Sequence, residues 1–166
     1  MSGGGAVVTR EQVARVLPPE YGTWHADVVA ADPWKSDLLD LDAYLARLGV
    51  AAREPGRDAL DELHEAHVRA FTFDNLDVLL GTHPGVDLEA VQAKFVGRGR
   101  GGYCFEHATL FAAALQRLGY DVRRRLGRVG PPTTSPRTHC VVEVTLHGRR
   151  LLADPGFGLS LLRPLA

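Results

Sequence analysis

A run of glycines and arginines leads straight into one of the chain's two cysteines: Gly97 to Leu115 reads GRGRGGYCFEHATLFAAAL. Cys104 stands where an amphipathic helical pattern begins. The nucleophilic form of cysteine is the thiolate, and the unpaired N–H groups and dipole of a helix N-terminus lower a thiol's pKa. The glycines let the backbone turn sharply and approach a substrate closely. Such a thiol needs an imidazole to take its proton and a third group to orient that imidazole. His139 lies early in THCVVEV and Asp154 ends LLAD, two segments that read as neighbouring strands with Gly148 at the turn between them. These neighbouring strands could bring His139 and Asp154 together, and the chain order Cys104, His139, Asp154 is one that nucleophilic catalysis by a cysteine would use.

Two other chemistries compete for the same stretch. Gly97, Gly99 and Gly102 satisfy G-x-G-x-x-G, and Asp121 lies about a helix downstream. A dinucleotide site needs a buried strand directly before the glycines, whereas LEAVQAKFV reads as helix and Asp121 begins a strand. That reading is rejected. Cys104 and His107 have C-x-x-H spacing, with His139 and Cys140 as a second pair. Successive residues on a strand face opposite sides of a sheet, so His139 and Cys140 do not readily share an ion and no metal site is expected. The residues by themselves leave an inert packed thiol as open as a nucleophile. Taken singly, His139 and Asp154 are ordinary strand residues. His107, one turn from Cys104, is a competing base, while Glu106 reads as a cap or ion-pair partner. His25, His64, His67, His83 and His147 show no partner pattern and read as surface or packing residues. Arg123, Arg124 and Arg125 read as a solvated strand edge.

The elements that must position these groups follow from periodicity. SDLLDLDAYLARLGV offers Ser36 as N-cap, apolar residues at Leu38, Leu41, Tyr44, Leu45 and Leu48, and Gly49 as a stop. GRDALDELHEAHVRAF makes a second helix with Leu60, Leu63, His67 and Ala70 on one face. FDNLDVLLG is a turn-like link, DLEAVQAKFV a third helix, and Cys104 to Leu118 a fourth with Leu110, Phe111, Ala114, Leu115 and Leu118 on one stripe. The period then changes to β-branched alternation in DVRRRLGRV, THCVVEVTL and GRRLLAD, with the proline-rich loop GPPTTSP between the first two. Helices first and strands afterwards predict an α+β fold: an N-terminal helical bundle, then an antiparallel sheet forming a partial barrel, with a papain-like chain order of Cys, His and Asp. Three regions are expected. Residues 1–36 form an extension, disordered over Met1 to Val8; 37–121 form the bundle, with the cysteine on its last helix; 122–166 form the sheet carrying His139 and Asp154.

Composition bounds the function. With 45% hydrophobic and 23% charged residues, the chain reads as a soluble globular protein. A net charge of -1 argues against nonspecific binding to nucleic acid or anionic membranes. No apolar stretch approaches the roughly twenty residues of a membrane span, and the N-terminus lacks a secretion signal. Two cysteines are too few for a disulfide framework, so a reducing cytoplasm is expected. The 12 residues after Asp154 look too few to cover the open edge of the sheet, from which self-association is expected.

At these residues the chain resembles a known family. RGRGGYCFEH resembles the R-G-G-x-C-x-E signature of the arylamine N-acetyltransferases; RTHCVVEV is similar to their strand with the catalytic histidine, and LLADPGFG to their aspartate segment. DLDAYLARLG and FTFDNLDVLLG are similar to the family's opening helix and its F-E-N-L-D link. The resemblance implies a helical bundle, a β-barrel and a C-terminal lid that helps hold coenzyme A. It implies ping-pong chemistry, in which Cys104 takes acetyl from acetyl-CoA, a co-substrate, and passes it to an arylamine or hydrazine; no permanently bound cofactor is implied. It puts His139 as base, Asp154 as orienting carboxylate, Phe73 and Phe157 at the acceptor pocket, and Thr133 and Thr134 on the loop near the pantetheine arm. Gly158 and the Cys104 N–H fall at the oxyanion region. The chain departs from the pattern where Glu106-His107-Ala108 replaces E-x-N, where Pro155 follows Asp154, and where it stops about one domain short of the family's length, which implies loss of the lid and part of the barrel. Within the family, the runner-up activity is an amide synthase releasing an aromatic-amine-primed polyketide. A Cys-His-Asp hydrolase, or a catalytically silent remnant acting as a binding domain, are the readings from other classes.

Overall fold

Asp40, and not Ser36, opens the first α-helix. In the computed structural model, which describes Asp32 and residues 34–159 and 161–166, the Asp40 side chain accepts the Ala43 N–H at 2.9 Å. Helix α1 runs over Leu41–Leu48, and Gly49 ends it with a left-handed φ of 71°. Ser36–Leu38 forms a separate 3-10 turn. The break falls at Leu39, whose extended backbone (φ -72°, ψ 125°) lets its side chain enter the core. The expectations for residues 1–31 and Pro33, the disordered Met1 to Val8 included, lie outside the described residues.

Helix α2, Arg57–Ala70, buries Leu60 and Leu63 as expected, together with His64 and His67. Both histidines are fully enclosed, so of the two readings, surface or packing, they are packing residues. The FDNLDVLLG link contains a short helix, α3, Leu76–Leu79. Helix α4, Leu88–Gln92, continues into a π-helical turn, Ala93–Gly97, which carries the sequence neighbours Lys94 and Phe95 and buries both. Widened turns of this kind occur frequently at functional sites.

Helix α5, Cys104–Arg117, is the axis of the molecule's described core. Residues from Ala108 through Leu115 are all buried, not only those on the expected stripe. A helix buried all round is one covered on both sides, and α5 packs on the sheet and on the other helices at once. The sheet is an antiparallel meander of β1 (Asp121–Arg128), β2 (Arg137–Leu146) and β3 (Arg149–Ala153), with β2 in the centre. Cys140, Val142, Val144, Leu151 and Ala153 join the core shared with α5. His147 and Gly148, with φ of 49° and 74°, make the β2–β3 turn; two left-handed residues match the twist of a tight hairpin. The β1–β2 register slips between Gly127 and Arg128, directly across from His139. Along the outer edge of β3, Leu165 exchanges two backbone hydrogen bonds with Leu152, at 2.8 and 2.9 Å, so the last residues return to cover one position of the edge that was expected to be open.

Candidate active site

Cys104 owes its place to the glycines before it. Gly102 donates its N–H to the Thr72 carbonyl at 3.1 Å and accepts from the Asp74 N–H at 2.8 Å, which lays Phe73 beside Gly102 as an isolated parallel bridge. A Cβ on Gly101 would collide with the Thr72 backbone. Close backbone approach is therefore what these positions require. The chain then turns into α5, and Glu106 reaches back to accept the Tyr103 N–H at 3.0 Å, satisfying one of the orphan donors of a helix start.

Glu106 is itself held by an ion-pair network. Lys94 Nζ lies 2.8 Å from Glu106 Oε1 and 2.9 Å from Asp77 Oδ2, and Arg100 reaches Asp77 at 3.0 Å. Lys94 and Glu106 are each 1% exposed. Burial alone would lower the Lys94 pKa, yet its bonds to Glu106 and Asp77 more than offset this and raise it. The reading of Glu106 as cap and ion-pair partner agrees with this geometry. The network's other members escaped sequence reasoning, although a lysine in a chain whose basic residues are otherwise almost all arginine was a usable signal.

His139 Nε2–H donates to Asp154 Oδ2 at 2.7 Å, and both side chains are buried. This leaves Nδ1 as the ring nitrogen available to the Cys104 thiol. Burial pushes the Cys104 thiol up, but the hydrogen bond with His139 and the backbone N–H groups of Cys140 and Phe105 outweigh it and bring the pKa below the ordinary value. The bond to Asp154, and then that to Cys104, raise His139 to about 9. Burial, by contrast, raises Cys140. The interaction that lowers Cys104 is the same one that helps raise His139.

The residues after Asp154 close around this pair. Pro155 restricts Asp154 to an extended backbone. A Cβ on Gly156 would lie 2.9 Å from both Cys104 Cα and His107 Cβ, so only glycine lets this segment rest on the start of α5. The Phe157 ring meets His139 edge-on at 5.3 Å, and Gly158, with φ of 84°, sits against the Phe73 ring. A cavity of about 460 Å³ opens on Cys104, lined by Phe73, Asn75, Val78, Gly81, His83 and Tyr103. Asp154, His139 and Phe157 are thus linked by contact, Gly158 touches Phe73, and Phe73 and Cys104 line one cavity. Thr133 and Thr134 occupy an exposed turn between β1 and β2 and do not line this cavity. A larger cavity, about 770 Å³, lies elsewhere, along the charged faces of α1 and α2, and holds none of these residues. Among the described residues no group of three or more His, Cys, Asp and Glu could hold a metal ion.

His107 has a different employment from that of a competing base. Tyr44 O–H donates to His67 Nδ1 at 2.8 Å, His67 Nε2–H donates to His107 Nδ1 at 3.0 Å, and His107 Nε2–H donates to the Thr72 carbonyl at 3.3 Å. One direction of donation satisfies every atom with both rings neutral. Burial lowers His107 to about 4 and His67 well below its ordinary value, consistent with neutral rings. The chain of bonds ends on the carbonyl that also fixes Gly102. Tyr44→Phe would leave His67 Nδ1 buried and unpaired; we expect a loss of about 1–3 kcal/mol in urea unfolding, the usual penalty for one orphaned buried group.

Known proteins share this sequence pattern and fold. A family model described as N-acetyltransferase matches residues 58–166, a stretch containing Cys104, His139 and Asp154. The chain belongs to the N-acetyltransferase family. Among its curated relatives in this family, the arylamine N-acetyltransferase of Mycolicibacterium smegmatis is 42% identical over 130 residues, covering 72% of this chain and 47% of the relative. The solved structure of the arylamine N-acetyltransferase from Mycobacterium abscessus superposes with a TM-score of 0.74 at 44% identity, covering 80% of this chain and 48% of that one. The Mycobacterium marinum enzyme in complex with CoA superposes at 0.70 with 43% identity, covering 76% and 50%. The chain therefore spans about half the length of the N-acetyltransferases it matches. At these identities the shared fold is the mixed one expected, helices followed by antiparallel sheet.

Proposed function

We propose that this chain carries the acyl-transfer centre of an arylamine N-acetyltransferase, with Cys104 as nucleophile, His139 as base and Asp154 as its orienting carboxylate. The observation that carries the reading is the buried 2.7 Å bond from His139 to Asp154, beside a cysteine whose pKa is depressed through that same imidazole. The CoA complex of the M. marinum relative supports acetyl-CoA as the donor.

In the first half-reaction Cys104 Sγ attacks the thioester carbonyl of acetyl-CoA. The S–C bond to coenzyme A breaks, His139 supplies the proton that leaves with the CoA thiol, and an acetyl-cysteine remains. In the second, an arylamine or hydrazine nitrogen attacks the acetyl carbon, His139 takes the amine proton, and the thiolate of Cys104 is released. The donors for the transient oxyanion are proposed to be the Cys104 N–H, with Gly158 nearby. Phe73 and Phe157 would flank the acceptor's ring, and the 460 Å³ cavity on Cys104 offers mainly aromatic and apolar walls for it. Thr133 and Thr134, exposed on their turn, remain assigned to the pantetheine arm by resemblance. A free nucleophilic thiol suits a reducing compartment, so the cytoplasm is the proposed location.

The test is intact-mass analysis after exposure to acetyl-CoA and, separately, to p-nitrophenyl acetate. A gain of one acetyl group that maps to Cys104, disappears in Cys104→Ala and discharges as an amide on addition of an arylamine is the expected result. Acetylation that persists in Cys104→Ala would place the chemistry elsewhere.

A further inference from the structure

Two buried polar atoms beside the site take no hydrogen bond from the described residues: Asp154 Oδ1 and His64 Nε2. Buried polar atoms are nearly always paired with protein or with ordered water, so each calls for a partner. Asp154 is engaged through its other oxygen, on His139. A carboxylate held at one oxygen only is free to rotate about its Cβ–Cγ bond, and the aim of Oδ2 then depends on what holds Oδ1.

His64 supplies the other unpaired atom. It projects from α2, is fully buried, and is fixed against the Phe111 ring, edge-on at 5.5 Å. Its Nδ1 lies 3.1 Å from the Leu162 carbonyl. A carbonyl can only accept, so Nδ1 carries the hydrogen and Nε2 presents a lone pair. The charged or titratable groups that act on His64 are Asp61 on its own helix, His67 one turn on, and Asp154 from the end of β3. Asp154 is thus close enough for its charge to be felt at the ring. Burial nevertheless keeps His64 below its ordinary pKa and hence neutral at pH 7. Two acceptors cannot bond each other, but a water has two O–H groups and can donate to both. Buried waters of this kind bridge otherwise unsatisfied groups and form part of the fold.

We propose that His64 is a positioning residue for Asp154: a buried water donates one O–H to His64 Nε2 and the other to Asp154 Oδ1, and so aims Oδ2 at His139. The proposal rests on the acyl-transfer reading of Cys104, His139 and Asp154. It gives α2 and the Leu162 carbonyl a part in setting the imidazole that activates the thiol. Nothing in the local sequence around His139 or Asp154 calls for such a partner, because His64 lies on a different element.

The experiment is the pH profile of Cys104 alkylation by iodoacetamide, followed by peptide mapping, on the full chain. In the wild type Cys104 should alkylate faster than Cys140, with a midpoint below that of an ordinary thiol. His64→Leu and His64→Phe remove the acceptor. With the carboxylate free to rotate, the imidazolium is held less well and the Cys104 midpoint should rise by about one unit, slowing alkylation at neutral pH about tenfold. His64→Gln, whose amide oxygen reaches the Nε2 position, should restore most of the wild-type profile. A crystal structure of the wild type should show a water bonded to both atoms, a readout that needs no variant to fold. If Cys104 reacts no faster than Cys140 in the wild type, the acyl-transfer reading and this proposal fall together. If the wild type behaves as expected but a folded apolar variant keeps its profile, only the proposal falls. It falls equally if a crystal structure shows a protein group bonding Asp154 Oδ1 directly.

Discussion

Asp154→Asn should slow acylation of Cys104 by p-nitrophenyl acetate by about 10³–10⁴-fold while leaving the fold intact, the scale seen when the orienting carboxylate of such a triad is neutralised. The substitution keeps the volume, so the packing of Pro155 and Gly156 on α5 should survive. What changes is the partner of His139 Nε2, which now donates to a carboxylate at 2.7 Å. An amide can offer that nitrogen either an oxygen or an N–H, and it carries no charge in either case. The bond to Asp154 is the first cause of the rise of His139 to about 9; without it the imidazole pKa should fall. Because His139 in turn depresses the Cys104 thiol, the thiol pKa should rise. On the proposed reading, the wild type should hold a thiolate–imidazolium pair between the lowered thiol pKa and about 9, above which the imidazolium deprotonates. In Asp154→Asn that window should shrink from both sides. Stopped-flow acylation as a function of pH measures it directly. A variant within tenfold of wild type, with a native circular dichroism spectrum, would remove Asp154 from the mechanism.

The second large effect concerns stability. Lys94→Met should destabilise the protein by about 3–5 kcal/mol, the scale for removing one partner of a buried ion pair. Lys94 is the cation between Glu106 and Asp77, and Glu106 has almost no access to water. Deleting the ammonium leaves the Glu106 carboxylate buried, with the Tyr103 N–H still bound to it and His83 at 3.5 Å as its remaining charged neighbour if protonated. Glu106 would then either ionise without its partner or take up a proton. Both routes loosen the start of α5, where Cys104 sits, so acylation should weaken along with stability. Urea unfolding of Lys94→Met, Glu106→Gln and the double variant gives the coupling between the two groups. The double variant should be more stable than Lys94→Met, since the stranded charge is gone. A loss below about 1 kcal/mol in Lys94→Met would mean that the pair is solvated, as surface pairs are.

The sequence by itself was enough for features governed by a few neighbouring residues. Gly49 ends α1 and His147-Gly148 turns the hairpin because left-handed backbone is a local property. The strand containing His139 and the helix opening at Cys104 were legible from periods of 2 and 3.6 residues. Residue types and chain order made Cys104, His139 and Asp154 candidates but left an inert thiol equally open; it was the resemblance of RGRGGYCFEH, RTHCVVEV and LLADPGFG to family motifs that singled them out. Even the role of Glu106 was visible, because a cap reaches only three residues back.

Tertiary structure decided whatever depended on which distant group comes alongside. Ser36 reads as the cap of the first helix, but the burial of Leu39 breaks that first turn and leaves Asp40 to cap α1. His67 shares a helix face with Leu60 and Leu63, yet nothing nearby in sequence announces Leu162 as the partner of His64, or Tyr44 and His107 as those of His67. Lys94 finds Asp77 and Glu106 from opposite sides, across 17 and 12 residues of chain. Hydrogen bonds inside a core are short-ranged and depend on orientation, so their pattern follows from the packing of α2, α5 and the sheet against one another. Residue types state what each group could do, and the close approach of separate elements determines which of those capacities is used.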